Sequence, residues 1–151
     1  METKVTRLLP RQRGFTVLEM LVAMALAGVL SSLAYPSFEG VLQKARRSDA
    51  LVALMQVQAA QERWRANQRA YGSLADIGVG PRTAAGHYTL QVLANDSDRY
   101  EVVAQATGAQ ARDASCRMLR LSLDSATVTY SSGPDTAQPN PQAVNRRCWN
   151  L

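Results

Sequence analysis

The stretch RQRGFTVLEMLVAMALAGVLSSLAYPSF, Arg11 to Phe38, decides how the rest of the chain is read. Residues 15–35 are twenty-one positions in which Glu19 is the only charge. As a helix they span roughly 31 Å, about one hydrocarbon thickness. A carboxylate in lipid costs a few kcal/mol even on lenient insertion scales. Glu19 lies about 6 Å along the axis from Phe15, so interfacial depth is one account of it. That account leaves its surroundings unexplained: a glycine directly before Phe15, a basic segment before that, and no other charge in the run.

Residues 1–14 are polar and basic, with Pro10 set against helix. They carry the charge of a signal-peptide n-region. A secretory signal has a shorter apolar core followed by a small-residue cleavage site. Here the run closes on Ser31-Ser32-Leu33-Ala34-Tyr35-Pro36, with no A-x-A site. The 151 residues fit one domain plus an appendage. Their formal charge is +5; Lys4, Arg7, Arg11 and Arg13 against Glu2 place +3 of it in the first fourteen residues, leaving +2. Whole-chain charge is therefore a weak argument for nucleic-acid binding.

The helical pattern continues past Pro36. Val41, Ala45, Ser48, Val52, Met55 and Ala59 recur at steps of four and three, flanked by Leu51 and Leu54. Lys44, Arg46, Arg47, Asp49, Gln56, Glu62 and Arg63 lie largely off that stripe, which predicts an amphipathic helix to about Arg65. Gly28 and Pro36 weaken the rod without ending it, and membrane helices tolerate both. Gly72, Gly78, Gly80, Pro81 and Gly86 make 67–86 a loop. Strand-like runs follow at 87–94, 99–106, 117–125 and 127–132, with period-2 alternation at Tyr88, Leu90, Val92 and at Leu119, Leu121, Leu123. The predicted fold is α+β: a long N-terminal helix packed on a three- to four-stranded antiparallel meander. Pro134, Pro139 and Pro141 predict an irregular tail over 133–147.

Gly14-Phe15-Thr16-Val17-Leu18-Glu19 resembles the class III signal of type IV prepilins and pseudopilins. Gly28, Pro36, the Tyr35-Pro36-Ser37-Phe38 run and the basic Lys44-Ala45-Arg46-Arg47 segment are also similar to that family, most like its PilE-type minor pilins. The resemblance implies residues 1–14 as leader, 15–36 as transmembrane and assembly helix, 37–66 as amphipathic helix, 67–86 as connecting loop and 87–151 as sheet with a disulfide-bounded C-terminal region. It implies cleavage between Gly14 and Phe15 and N-methylation of Phe15 by a prepilin peptidase/N-methyltransferase. It implies Glu19, Gly28 and Pro36 as assembly residues. The implied partners are other pilins, major and minor, and an inner-membrane assembly platform. The implied localisation is the bacterial inner membrane before assembly, with the C-terminal domain in the periplasm, and the pilus surface afterwards. The implied function is a structural, non-enzymatic subunit of a type IV pilus serving fibre biogenesis, twitching motility, adhesion or DNA uptake.

The physics of that junction stands beside the resemblance. Cleavage would leave a free amine on Phe15, cationic near neutrality. In a bundle of apolar helices, a neighbour's Phe15 amine answers Glu19, and any stagger that leaves Glu19 alone is penalised.

Cys116 and Cys148 are an even pair late in the chain. In an exported domain an even count suggests a disulfide, and in a cytosolic one two buried thiols. A bridge would contribute roughly 3–4 kcal/mol in the chain-entropy model and tie the tail to the sheet. By resemblance it corresponds to the disulfide-bounded loop of pilins. Arg117, Arg146, Arg147 and Trp149, with Arg112 and Arg120, are candidate DNA contacts, guanidinium groups on phosphates and the indole on a base. Weighed against that are a solvated arginine surface and a tryptophan packed on the sheet. His87 stands without a second histidine or clustered carboxylates, so neither a metal site nor a cofactor is expected. Gly78-Val79-Gly80-Pro81 lacks the lysine and hydroxyl of a phosphate loop, and no serine sits in a nucleophile frame. The alternatives to a pilus subunit are a DNA-binding receptor pilin, a type II secretion pseudopilin and a plain membrane-anchored periplasmic protein.

Overall fold

A computed structural model describes residues 14–151, without the side chains of residues 33–37. The expectation of a leader over residues 1–13, and any role of the Pro36 ring, lie outside the described residues. The chain divides into two compact units at Phe38/Glu39. Helix α1 (Val17–Arg65) carries residues of both.

The start of α1 is set by Thr16. Its hydroxyl accepts the Glu19 N–H at 3.2 Å, and its carbonyl accepts the Met20 N–H at 3.1 Å. Thr16-x-x-Glu19 has capping-box spacing, and the acidic residue in the first turn suits the helix dipole. Up to Ser32 the apolar side chains stand exposed on every side of the helix; Leu18 is 74% and Leu30 67% exposed. Ser31 and Ser32 donate back to the carbonyls of Ala27 and Val29, at 2.8 and 2.7 Å, so their hydroxyls are satisfied inside the helix. No helix among the described residues is long and apolar enough to cross a membrane. The described side chains of the apolar run stop at Ser32, short of the twenty-one residues the sequence provides.

The second unit holds a four-stranded antiparallel meander in the order β1-β2-β3-β4: β1 (Tyr88–Asn95), β2 (Arg99–Ala106), β3 (Met118–Asp124) and β4 (Thr127–Gly133). The register pairs Val92 with Val102 and Val102 with Leu121, so alternating residues share the core face. A bulge between Val92 and Ala94 leaves Leu93 unpaired and outward, which is why an apolar strand residue is exposed there. The β1–β2 turn is built on Asp96, whose carboxylate accepts the Asp98 and Arg99 N–H groups. These bonds and the Arg99 guanidinium hold the Asp96 carboxyl below the usual aspartate range. Ser125 and Ala126 close the β3–β4 hairpin with φ of 47° and 75°, the left-handed geometry of a two-residue turn.

The face of α1 toward the core differs from the predicted stripe. Ala50, Ala53, Leu54, Val57 and Ala60 are buried, whereas Val41, Ala45, Ser48, Val52, Met55 and Ala59 are exposed. The buried side also carries polar residues that a periodicity count scores as surface. Gln61 lies fully buried and pairs through its amide with Gly72, donating to its carbonyl at 2.7 Å and accepting its N–H at 2.9 Å. Asp49 accepts from the Thr83 hydroxyl and from the Ala85 and His87 N–H groups, fastening the loop that feeds β1.

The tail corrects a second expectation. Residues 142–148 form a short helix, α2 (Gln142–Cys148), with Pro141 at its N-cap. The prolines read as breakers, but at a helix start a missing N–H costs nothing. Cys116 and Cys148 form a disulfide with Cα atoms 5.3 Å apart. It joins a 3₁₀ turn (Ala114–Cys116) to the last residue of α2. A further 3₁₀ turn, Gly108–Arg112, completes the connection from β2.

Candidate functional site

Three surfaces collect the candidate residues. The first is the N-terminal junction. Gly14 and Phe15 are exposed ahead of α1, and the Glu19 carboxylate is exposed one turn in. A side chain added at Gly14 or Gly28 would meet nothing within 4 Å among the described residues, so packing within these does not require either glycine. Pro36 lies within α1, which runs through it. An helix segment that is apolar all round has no stable surroundings in water; it is buried in lipid or against other helices. The role of Thr16 as cap was legible in the S/T-x-x-E spacing yet is not among the residues singled out from the sequence.

The second is the outward stripe of α1 in the globular unit. Val52 is 57% and Met55 42% exposed, with Ala45, Ser48 and Ala59 between and beyond them. The spacing is that of a coiled-coil seam, and its small residues permit close backbone approach.

The third is the arginine set. Arg47, off the predicted stripe, is half of a buried ion pair: Nε donates to Asp113 Oδ2 at 2.7 Å and Nη2 to Oδ1 at 3.0 Å. The two side chains are 13% and 6% exposed. Arg47 Nη1 also donates to the Arg147 carbonyl, at 3.0 Å, fixing the end of α2. Gln110 extends the network, its Nε2 lying 3.1 Å from Asp113 Oδ2 and 3.0 Å from the Tyr88 hydroxyl. Burial pushes the Tyr88 phenol up to about 12 despite that hydrogen bond. Arg112 pairs with Glu39 at 3.3 Å, and Arg117 Nε donates to the Ala111 carbonyl at 3.1 Å. Arg120 Nε lies 3.2 Å from Glu101 Oε1 as a charge contact off the hydrogen-bond line, while its Nη2 donates to the Thr136 carbonyl at 2.7 Å. Arg146 and Arg147 are exposed on α2. Lys44, Arg47 and Arg147 line one groove with Gly40, Asn150 and Leu151, so the structure brings Arg147 to Lys44 rather than to Arg117 or Arg120.

Trp149 takes the packing role. It is 5% exposed, its ring centroid lies 4.8 Å from that of Tyr130, and its Nε1 donates to the Ser131 carbonyl at 3.0 Å. The indole face is occupied by its own sheet, so it is not presented for stacking on a base.

Comparison with known proteins bears on all three surfaces. A family model described as "Type IV minor pilin ComP, DNA uptake sequence receptor" matches residues 36–120. A model of the prokaryotic N-terminal methylation motif matches residues 9–35. The type IV major pilin protein PilA of Myxococcus xanthus (strain DK1622) is 29% identical over 97 residues, covering 63% of this chain and 44% of that protein. The type II secretion system core protein G of Pectobacterium carotovorum subsp. carotovorum is 36% identical over 63 residues, 42% of this chain and 40% of that protein. Its counterpart from Klebsiella pneumoniae is 36% identical over 61 residues, 40% and 44%. The chain thus spans less than half the length of each of these relatives. The match over residues 36–120 takes in more than half of the sequence, with β1, β2 and the start of β3, and the chain belongs to the ComP family of type IV minor pilins.

Proposed function

We propose that this chain is made as a prepilin, is cut between Gly14 and Phe15, is methylated on the Phe15 amine, and then enters a type IV pilus as a minor subunit. Residues 15–35 anchor it in the inner membrane by a single pass, with the globular unit on the periplasmic side, until it joins the fibre. The observation that carries this reading is the outward apolar surface of α1, which no other part of the described residues covers. The methylation motif spans Gly14, Phe15 and Glu19, which supports the processing step. Within the fibre Glu19 meets a neighbouring Phe15 amine, while Gly28 and Pro36 let the helix loosen where hydrogen bonding is weakest. The prepilin peptidase, the assembly platform and other pilins are the partners this requires. Glu19→Ala is expected to leave insertion and leader removal intact while abolishing incorporation into fibres. Normal fibre content of that variant would contradict the reading.

The family also favours a role in DNA uptake, a reading supported by the exposed Arg146 and Arg147 on α2, the latter lining a groove with Lys44. Arg117 contributes at the margin, and Trp149 does not. Contacts of this kind act through counterion release, with a slope of about −0.9 in log affinity against log salt per phosphate. Arg146→Gln/Arg147→Gln is expected to weaken binding of the soluble region to duplex DNA and to lower that slope by about two. An unchanged slope would remove these residues from the contact.

A further inference from the structure

β4 is the terminal strand of the sheet, and its outer edge is covered near its C-terminal end, over residues 130–132. Residues 127–132, Thr-Val-Thr-Tyr-Ser-Ser, are uncharged and rich in β-forming types, a sequence ready to pair with another strand. Beyond Gly133 the chain turns back along that edge. Asn140 N–H donates to the Ser132 carbonyl at 2.7 Å, and Asn145 Nδ2 to the Tyr130 carbonyl at 2.8 Å. Trp149 Nε1 takes the Ser131 carbonyl, and the Ser132 hydroxyl donates to Asn145 Oδ1 at 2.7 Å. The Tyr130 and Ser132 carbonyls, which point to the same edge of β4, and the Ser131 carbonyl between them all accept from donors outside the sheet.

The return path is tight. A side chain at Gly133 would strike the carbonyl oxygens of Gln138 and Asp135. Asn140 Nδ2 reaches the Ser115 carbonyl at 2.6 Å, and the Cys116–Cys148 bridge ties the same two segments together. The other edge is handled differently. β1 is bonded at one end by the Pro81 carbonyl, with Arg82 bridging Thr89, and is bent by its bulge.

We propose that residues 134–149 are a disulfide-locked cap on the outer edge of β4, and that the partner the cap excludes is the same edge of a second copy of this chain. The segment is anchored at both ends, by the chain at Gly133 and by the bridge at Cys148. With the bridge gone, seven-residue α2 is held on the strand by its side-chain hydrogen bonds, the Arg47 contact and the packing of Val144 and Trp149. Edge pairing between copies is sequence-tolerant and antiparallel, so an opened β4 is complementary to itself. The cap therefore directs association to the helix and away from the sheet.

The test uses the full chain in detergent, reading sedimentation mass and amide exchange. Cys116→Ser/Cys148→Ser is expected to speed exchange across residues 128–132 by about tenfold or more relative to β2, and to add a dimer absent from the parent. Adding Thr129→Lys, a charge on the exposed side of the edge, is expected to cut the dimer severalfold while exchange stays fast. Asn145→Val, which keeps the bridge and removes both side-chain bonds to β4, is expected to give the same exchange pattern in weaker form. It decides the matter if the cysteine variant loses β2 protection as well. Unchanged exchange at 128–132 in Asn145→Val, or association that ignores Thr129→Lys, would overturn the proposal.

Discussion

The two units of this chain solve opposite problems. In the globular unit, polar groups on the buried side of α1 find partners within the unit: Arg47 has Asp113, Gln61 has Gly72 and Asp49 has the loop before β1. Up to Ser32, α1 has partners among the described residues only for its backbone and two serine hydroxyls, and its apolar side chains face outward. One unit is complete as a folded body. The other is an apolar surface, which the proposed function places in a bilayer and then in a fibre. A substitution in the first should therefore register in stability, and one in the second in location and assembly. The outward stripe at Val52 and Met55 is the exception, because it belongs to the complete unit yet faces away from its core.

The largest break expected in the globular unit is Asp113→Ala, which strands the Arg47 guanidinium in a nearly closed site. It should cost about 3–5 kcal/mol in denaturant unfolding, and joint replacement of both by apolar residues should cost clearly less. Next is the pair Leu54 and Met55, adjacent in sequence and opposite in role. Leu54→Ala should cost about 2–5 kcal/mol. Met55→Ala should change stability by no more than about 0.5 kcal/mol while reducing fibre incorporation. Equal stability costs for the two would erase the distinction between faces.

Tyr88 sharpens the same contrast through pH. Its folded value is raised to about 12 by burial, above the ordinary value of 10. The neutral phenol thus contributes stability that is complete below pH 10 and is lost as pH rises from 10 toward 12. Alkaline melting followed by circular dichroism should steepen across that window, and Tyr88→Phe should lessen the loss without abolishing it, because burial also raises Tyr100 and Tyr71. The smallest effect is expected at the β3–β4 hairpin. Ala126 holds a φ of 75°, and Ala126→Gly should stabilise the sheet by about 1 kcal/mol. Destabilisation there would mean that the methyl group packs usefully.

Much of this fold is legible in the sequence because the signals are local. The four strands, the end of α1 at Arg65 and the cysteine pairing follow from alternation, turn residues and an even cysteine count. The phase of α1 is not, because its buried face depends on partners remote in sequence. Arg47 is licensed inside by Asp113, sixty-six residues on. Ala50, Ala53 and Ala60 are weak core signals, while the seven-residue repeat of Val41, Ser48 and Met55 looks like a core and stands exposed. α2 is hidden for a different reason: Pro141 looks like a stop and acts as a start. At the candidate surfaces, the Gly14-Phe15 junction and Glu19 announce themselves by context. The fate of Trp149 depends on Tyr130 and the Ser131 carbonyl, which no local pattern reveals.

The contrast between a self-sufficient unit and a helix completed by others rests on what becomes of the N-terminus. Mass spectrometry of the chain recovered from fibres is the most direct test. The account predicts a polypeptide that lacks residues 1–14 and begins with an N-methylated Phe15. A chain that keeps its leader, or one that starts at any other residue, would contradict it.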